Sequence, residues 1–184
     1  MPAEVVPYSE DWVGQFEAVA EVLRHALRHV DGARVEHVES TSVPGLAAKA
    51  ILDIDVIVAA EKVPAAVVAL EAAGYVHRGD LGVTGREAFC APDDAPRRHV
   101  YVCEAETLNV RNHLAVRDIL RRSGDLRDQY AEVKLSLAAD SGRAIETYIA
   151  RKSEVLQIVL AESEFTEAER RRIWRSNDPS ARPS

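Results

Sequence analysis

Between Trp12 and Val30 the apolar residues Trp12, Phe16, Val19, Leu23, Leu27 and Val30 recur at steps of three and four, one stripe of a helix that Asp31-Gly32 ends. Residues 34–39 shift to a short strand, and Pro44-Gly45 breaks regular structure ahead of a small-residue turn at Leu46–Lys49. Next comes ILDIDVIV at 51–58, a β-branched run interrupted only by Asp53 and Asp55, the pattern of a central strand buried on both faces. Residues 62–73 predict a helix with Pro64 in its first turn, stopped by Gly74 before a strand at 75–78. Residues 86–91 and 98–104 alternate as two strands joined through the turn-rich Pro92–Pro96, a hairpin. Helices then close the chain. Leu114, Ile119 and Leu120 mark one; Leu126, Tyr130, Val133 and Leu137 a second; Ile145, Ile149, Leu156 and Leu160 a third, with Gly124 and Gly142 as punctuation. Thr166 to Glu169 has capping-box spacing and opens a last helix. Strands gathered in the first half and helices in the second predict an α+β fold: a mixed β-sheet flanked by helices, with a C-terminal helical segment.

Composition narrows the picture. A chain of 184 residues that is 47% hydrophobic can bury one core, expected over residues 1–163, with a helix and polar tail over 164–184. A net charge of −7 argues against a surface that grips duplex nucleic acid, and no aromatic platform for stacked bases is evident. The start, MPAEVVPYSEDW, has neither a basic opening nor an apolar run, and no segment is long and apolar enough to span a bilayer. A cytoplasmic protein without membrane association is expected. Cys90 and Cys103 lack metal-ligand spacing, which fits a reducing compartment and no structural zinc.

The chemistry centres on Asp53 and Asp55. Two apart on a strand, they point to one face and bring two carboxylates within reach of one cation. Like charges held there need an opposite charge, either a metal ion or an arginine or lysine from a neighbouring helix. Upstream, Ser40 opens a turn of small residues, TSVPGLAAK at 41–49, able to present hydroxyls and backbone N–H groups to a phosphate. His99 and Tyr101 share a strand face, as line-mates of a cleft or as structural residues. Arg117 lies one helical turn after His113, and Tyr130/Lys134 and Tyr148/Lys152 are likewise one turn apart, so each set can face one partner.

The stretch HVESTSVPGLAAKAILDIDV at 37–56, with RHVYVCEAE at 98–106, HLAVRDILR at 113–121 and the two Tyr/Lys pairs, resembles the GrpB family over nearly the whole chain to about residue 160. The resemblance implies a nucleotidyltransferase fold of the superfamily type, in which a glycine-serine turn precedes a D-x-D strand. It implies that Asp53 and Asp55 hold Mg²⁺, with His99 beside them in a catalytic role. Ser40, Thr41, Ser42, Lys49, Arg98, Tyr101, Arg117, Lys134, Tyr148 and Lys152 would bind a nucleotide or another phosphorylated small molecule. The expected activity is Mg-dependent nucleotidyl or phosphate-group transfer to a small metabolite; the alternative is a catalytically inactive nucleotide- or anion-binding accessory module. Two departures bear on that choice. Glu39 stands where the family has glycine, and the later strand brings no third carboxylate, Glu87 being the nearest substitute. Ala50 also replaces a usual proline.

Overall fold

The computed structural model describes residues 4–139 and 154–177. A short strand, β1 (Val5–Val6), leads into α1 (Asp11–Ala26), whose residues Trp12, Phe16, Val19 and Leu23 are buried as their spacing predicts. Its Asp11 at the start and Arg24 and His25 at the end complement the helix dipole. The helix ends four residues before Val30, which a following turn still delivers to the core.

Among the described residues, seven strands follow two patterns. β1 pairs antiparallel with β3 (Ala48–Lys49), a ribbon formed where a turn of small residues was expected. The other five, β2 (Arg34–Val38), β4 (Leu52–Val58), β5 (Val76–His77), β6 (Arg86–Cys90) and β7 (Arg98–Glu104), form one sheet in the order β2-β4-β7-β6-β5. β4 and β7 run parallel and the remaining pairs antiparallel, so the sheet is mixed. The middle position belongs to β7; β4 lies beside it, shielded from the edge by β2. The expected hairpin of β6 and β7 is present.

One face of the sheet carries Leu52, Ile54, Val56, Val58, Val100 and Val102, packed under α1 and α2 (Val63–Ala72). Burying each such side chain contributes roughly 1.5–3 kcal/mol, which makes this layer the main source of stability. The opposite face carries Asp53, Asp55, His99 and Tyr101. It is covered in part by α3 (Leu108–Arg122), whose Val110 packs on Ile57 and Cys103. Thr107 caps α3 by accepting the Val110 N–H. α4 (Gly124–Ala139), a helix described over 154–161 (α5) and α6 (Glu167–Asn177) complete that side. Thr166 and Glu169 cap α6 reciprocally, the Thr166 N–H donating to Glu169 and the Glu169 N–H to the Thr166 hydroxyl. Among the described residues no helix is long and apolar enough to cross a membrane.

Candidate functional site

The parallel register sets Asp53 beside His99 and Asp55 beside Tyr101, so all four side chains leave the sheet on the α3 face. His99 Nδ1 lies 2.9 Å from Asp53 Oδ1. Asp55 is fully buried, and His113 of α3 sets its Nδ1 2.7 Å from Asp55 Oδ2. The second ring nitrogen of His113 faces Glu39, 3.8 Å from its carboxylate. Burial alone would lower the His113 pKa, but the hydrogen bond to Asp55 and the charges of Asp55, Glu39 and Asp53 outweigh it and lift the value to about 9. For Asp53, burial is the largest influence and pushes its carboxyl upward, with Glu39 adding to the rise. His99 is raised chiefly by its hydrogen bond to Asp53. Cys103 lies in this layer as well; burial and the Asp55 charge push its thiol far up, so it is an inert neighbour rather than a nucleophile.

The turn above the aspartates is built from its own hydroxyls. Thr41 donates to the Ile51 carbonyl and meets His37, while the Ser42 hydroxyl donates to the Glu39 carbonyl at 2.5 Å. Expected as phosphate ligands, these two are buried and committed to backbone. Ser40 differs, for its hydroxyl meets Lys134 Nζ of α4 at 2.6 Å. Arginines of α3 hold the carbonyls on either side: Arg117 donates to His37 O and to Glu36, and Arg121 donates twice to Ser42 O. Glu39, Ser40, His113, Arg117 and Tyr130 help enclose a pocket of about 10 Å³, room for about one water molecule.

Glu39 takes φ 59° and ψ −164°, a backbone region that side-chain-bearing residues avoid. The glycine conformation of the turn is thus retained with a glutamate in it, and the side chain lines the pocket instead of pointing away. Such strain typically costs about 1–3 kcal/mol. Glu39→Gly is therefore expected to stabilise the fold by roughly 1 kcal/mol, the remainder being offset by the freer unfolded chain. A calorimetric melt reads this as a midpoint about 2–4 °C higher; an unchanged or lower midpoint would contradict it.

Two further expectations need correction. Arg98 lies on the other side of the sheet, where it pairs with Asp93, donates to Pro96 O and rests near the Tyr75 ring. Glu87 faces the same way, bonded to His77 at 2.6 Å, and does not supply a carboxylate to the cleft. The reason is register: Glu87 is opposite Val102, a residue of the core beneath α1 and α2. Lys49 is exposed on β3, opposite Val5. Tyr148 and Lys152 lie outside the described residues. The sequence reading missed His113 and Arg121 as site residues, although HLAVRDILR contains both. Arg86 was missed too; its guanidinium covers the Tyr101 ring at 4.5 Å.

Oxygen donors suit a hard cation, and each aspartate keeps one oxygen outside its histidine bond. Asp55 Oδ1 is buried without a hydrogen-bond partner of ordinary geometry. Among the described residues no three metal-binding side chains converge, so the donor set is a partial one. Mg²⁺ accepts such a set, since it commonly takes one or two carboxylates and completes its shell with water and substrate phosphate oxygens.

The sheet order, the paired aspartates of β4 and the serine turn above them define a protein of nucleotidyltransferase-like fold. Solved structures agree on the fold: the Cid1 poly(U) polymerase, crystallised bound to MgATP, superposes with a TM-score of 0.61 at 12% identity, over 90% of this chain and 54% of that one. The model of the GrpB protein family matches residues 2–162, and the chain belongs to that family. The GrpB crystal structure from Enterococcus faecalis has a TM-score of 0.71 and 33% identity over 86% of this chain and 98% of that one. Curated relatives include the UPF0157 protein BH1888 of Halalkalibacterium halodurans, 33% identical over 88% of this chain and 83% of that protein. Another is the UPF0157 protein YqkA of Bacillus subtilis, 32% identical over 82% of this chain. The match spans only 44% of YqkA's length.

Proposed function

We propose that this chain binds a nucleotide or a related phosphorylated small molecule over the Ser40 turn and transfers its nucleotidyl or phosphate group to a small metabolite, with Mg²⁺ held by Asp53 and Asp55. The observation that supports this reading is that both aspartates share one face of β4, a strand in contact with the turn at which Lys134 meets Ser40, within a fold shared with an enzyme crystallised with MgATP. When bound, the ion would offset negative charge on the phosphates. Lys134 supplies a cation at the turn, and Arg117 and Arg121 keep the turn's backbone in place. Asp53 and His99 are the accessible edge of the site, since Asp53 retains 25% side-chain exposure and His99 53%.

A second reading, a binding module without turnover, is favoured by one observation: Glu39 adds a negative charge at the presumed phosphate turn. A melting-point screen of nucleotides with and without Mg²⁺ separates the two, because a ligand that binds only the folded state raises the midpoint. Under the first reading a nucleoside triphosphate raises it only when Mg²⁺ is present, and Asp53→Asn removes the increment while the protein still folds. A rise independent of Mg²⁺, equal in wild type and Asp53→Asn, would support the module and sink the transfer reading.

A further inference from the structure

The two histidines of the cleft reach the two aspartates from different elements, yet in the same manner. His99 comes from β7, adjacent in register to Asp53, and takes Oδ1 at 2.9 Å. His113 comes from the middle of α3 and takes Asp55 Oδ2 at 2.7 Å. Neither carboxylate is held through both oxygens by its histidine. For Asp55 the contrast is sharp, because Oδ2 is bonded at 2.7 Å while Oδ1 is buried without a hydrogen-bond partner of ordinary geometry, the weakly donating Cys103 thiol being the remaining polar neighbour of the carboxylate. A fully buried carboxylate in an ordinary structural pair would use both oxygens, since each unsatisfied polar atom costs about 1–3 kcal/mol.

We infer that His99 and His113 are positioning residues for a divalent cation: each fixes the rotation of one aspartate through one oxygen and leaves the other oxygen for the ion. The inference rests on the proposed role of Asp53 and Asp55 as the ion's carboxylates. A third carboxylate, Glu39, stands 3.8 Å from the other nitrogen of His113, so the ring lies between two carboxylates. Outer partners that hold ligand carboxylates in this way typically govern metal affinity by about 10–100-fold.

The test uses Mn²⁺ alone, titrated calorimetrically into the full chain, with wild type and Asp53→Asn compared first. His113→Leu is expected to weaken Mn²⁺ binding by about tenfold or more, and His113→Gln, whose amide N–H can still donate to Asp55 Oδ2, to recover most of that loss. His113→Leu also strands a buried carboxylate and can fail to fold. His99→Leu asks the same question at a half-exposed position and should likewise weaken Mn²⁺, with His99→Gln recovering it. A wild type whose titration matches Asp53→Asn overturns the cation-holding reading and this inference together. If Asp53→Asn abolishes binding while the histidine-to-leucine variants bind as tightly as wild type, or tighter, or if glutamine does no better than leucine, this inference alone falls.

Discussion

Asp55→Asn is expected to remove about 3 kcal/mol of folding stability at neutral pH, the usual scale for breaking a buried ion pair by taking away one partner. Asp55 is fully solvent-excluded and His113 has only 13% of its side chain exposed, so neither can turn to water when the other changes. The substitution is isosteric and creates no cavity; what it leaves is a buried imidazole that has lost its hydrogen-bonded carboxylate and keeps only the more distant charges of Glu39, 3.8 Å away, and Asp53. Double replacement, Asp55→Asn with His113→Gln, should cost much less than the sum of the two single changes, since two neutral amides can bond to each other where a lone charge cannot. Urea unfolding of the four proteins measures this. A loss below about 1 kcal/mol for Asp55→Asn, or strict additivity, would show that the pair is not the electrostatic unit its geometry describes.

Acid should destabilise the protein through His37. This residue is 6% exposed, stacks on Phe16 with ring centroids 4.6 Å apart, and meets the Thr41 hydroxyl at 3.0 Å. Burial first, and then the charges of Arg121 and Arg117, lower its pKa from 6.5 to about 4. A folded value below the unfolded one means that the unfolded chain binds the proton more readily. The contribution is therefore fully present above pH 6.5 and is lost as pH falls from there toward 4. The shift corresponds to about 3 kcal/mol over that window. His37→Gln, which keeps a hydrogen-bonding side chain without a titrating ring, should start less stable because it loses the Phe16 stack, yet its stability should decline less between pH 6.5 and 4. Parallel curves for the two proteins would show that His37 does not report on acid in this way.

The same two histidines mark where the sequence stops being informative. Local pattern was enough for α1, for β4 and for the cap of α6, because a helical stripe, a β-branched run and a Thr-x-x-Glu spacing express forces that act within a few residues. It also located the aspartate pair and the Ser40 turn, and it flagged Glu39, whose positive φ is a property of that one position. Three things were not legible. Arg98 was placed in the cleft by the family resemblance, although alternation sets it on the face opposite His99, and Glu87 was only the nearest substitute for a third carboxylate; the pairing of Glu87 with Val102 and of Arg98 with Leu52 decides that both turn away. Thr41 and Ser42 looked available as hydroxyls until the folded turn used them on its own carbonyls. His113 lies 58 residues from Asp55, and no spacing rule connects a helix residue to a strand residue at that separation. The sequence by itself determined most of the elements and where the charged strand lies, since those depend on near neighbours, whereas the ribbon of β1 and β3 forms only by long-range pairing. Tertiary structure alone decided which side chains meet on the aspartate face, because that depends on strand register and on the way α3 lies across β4 and β7.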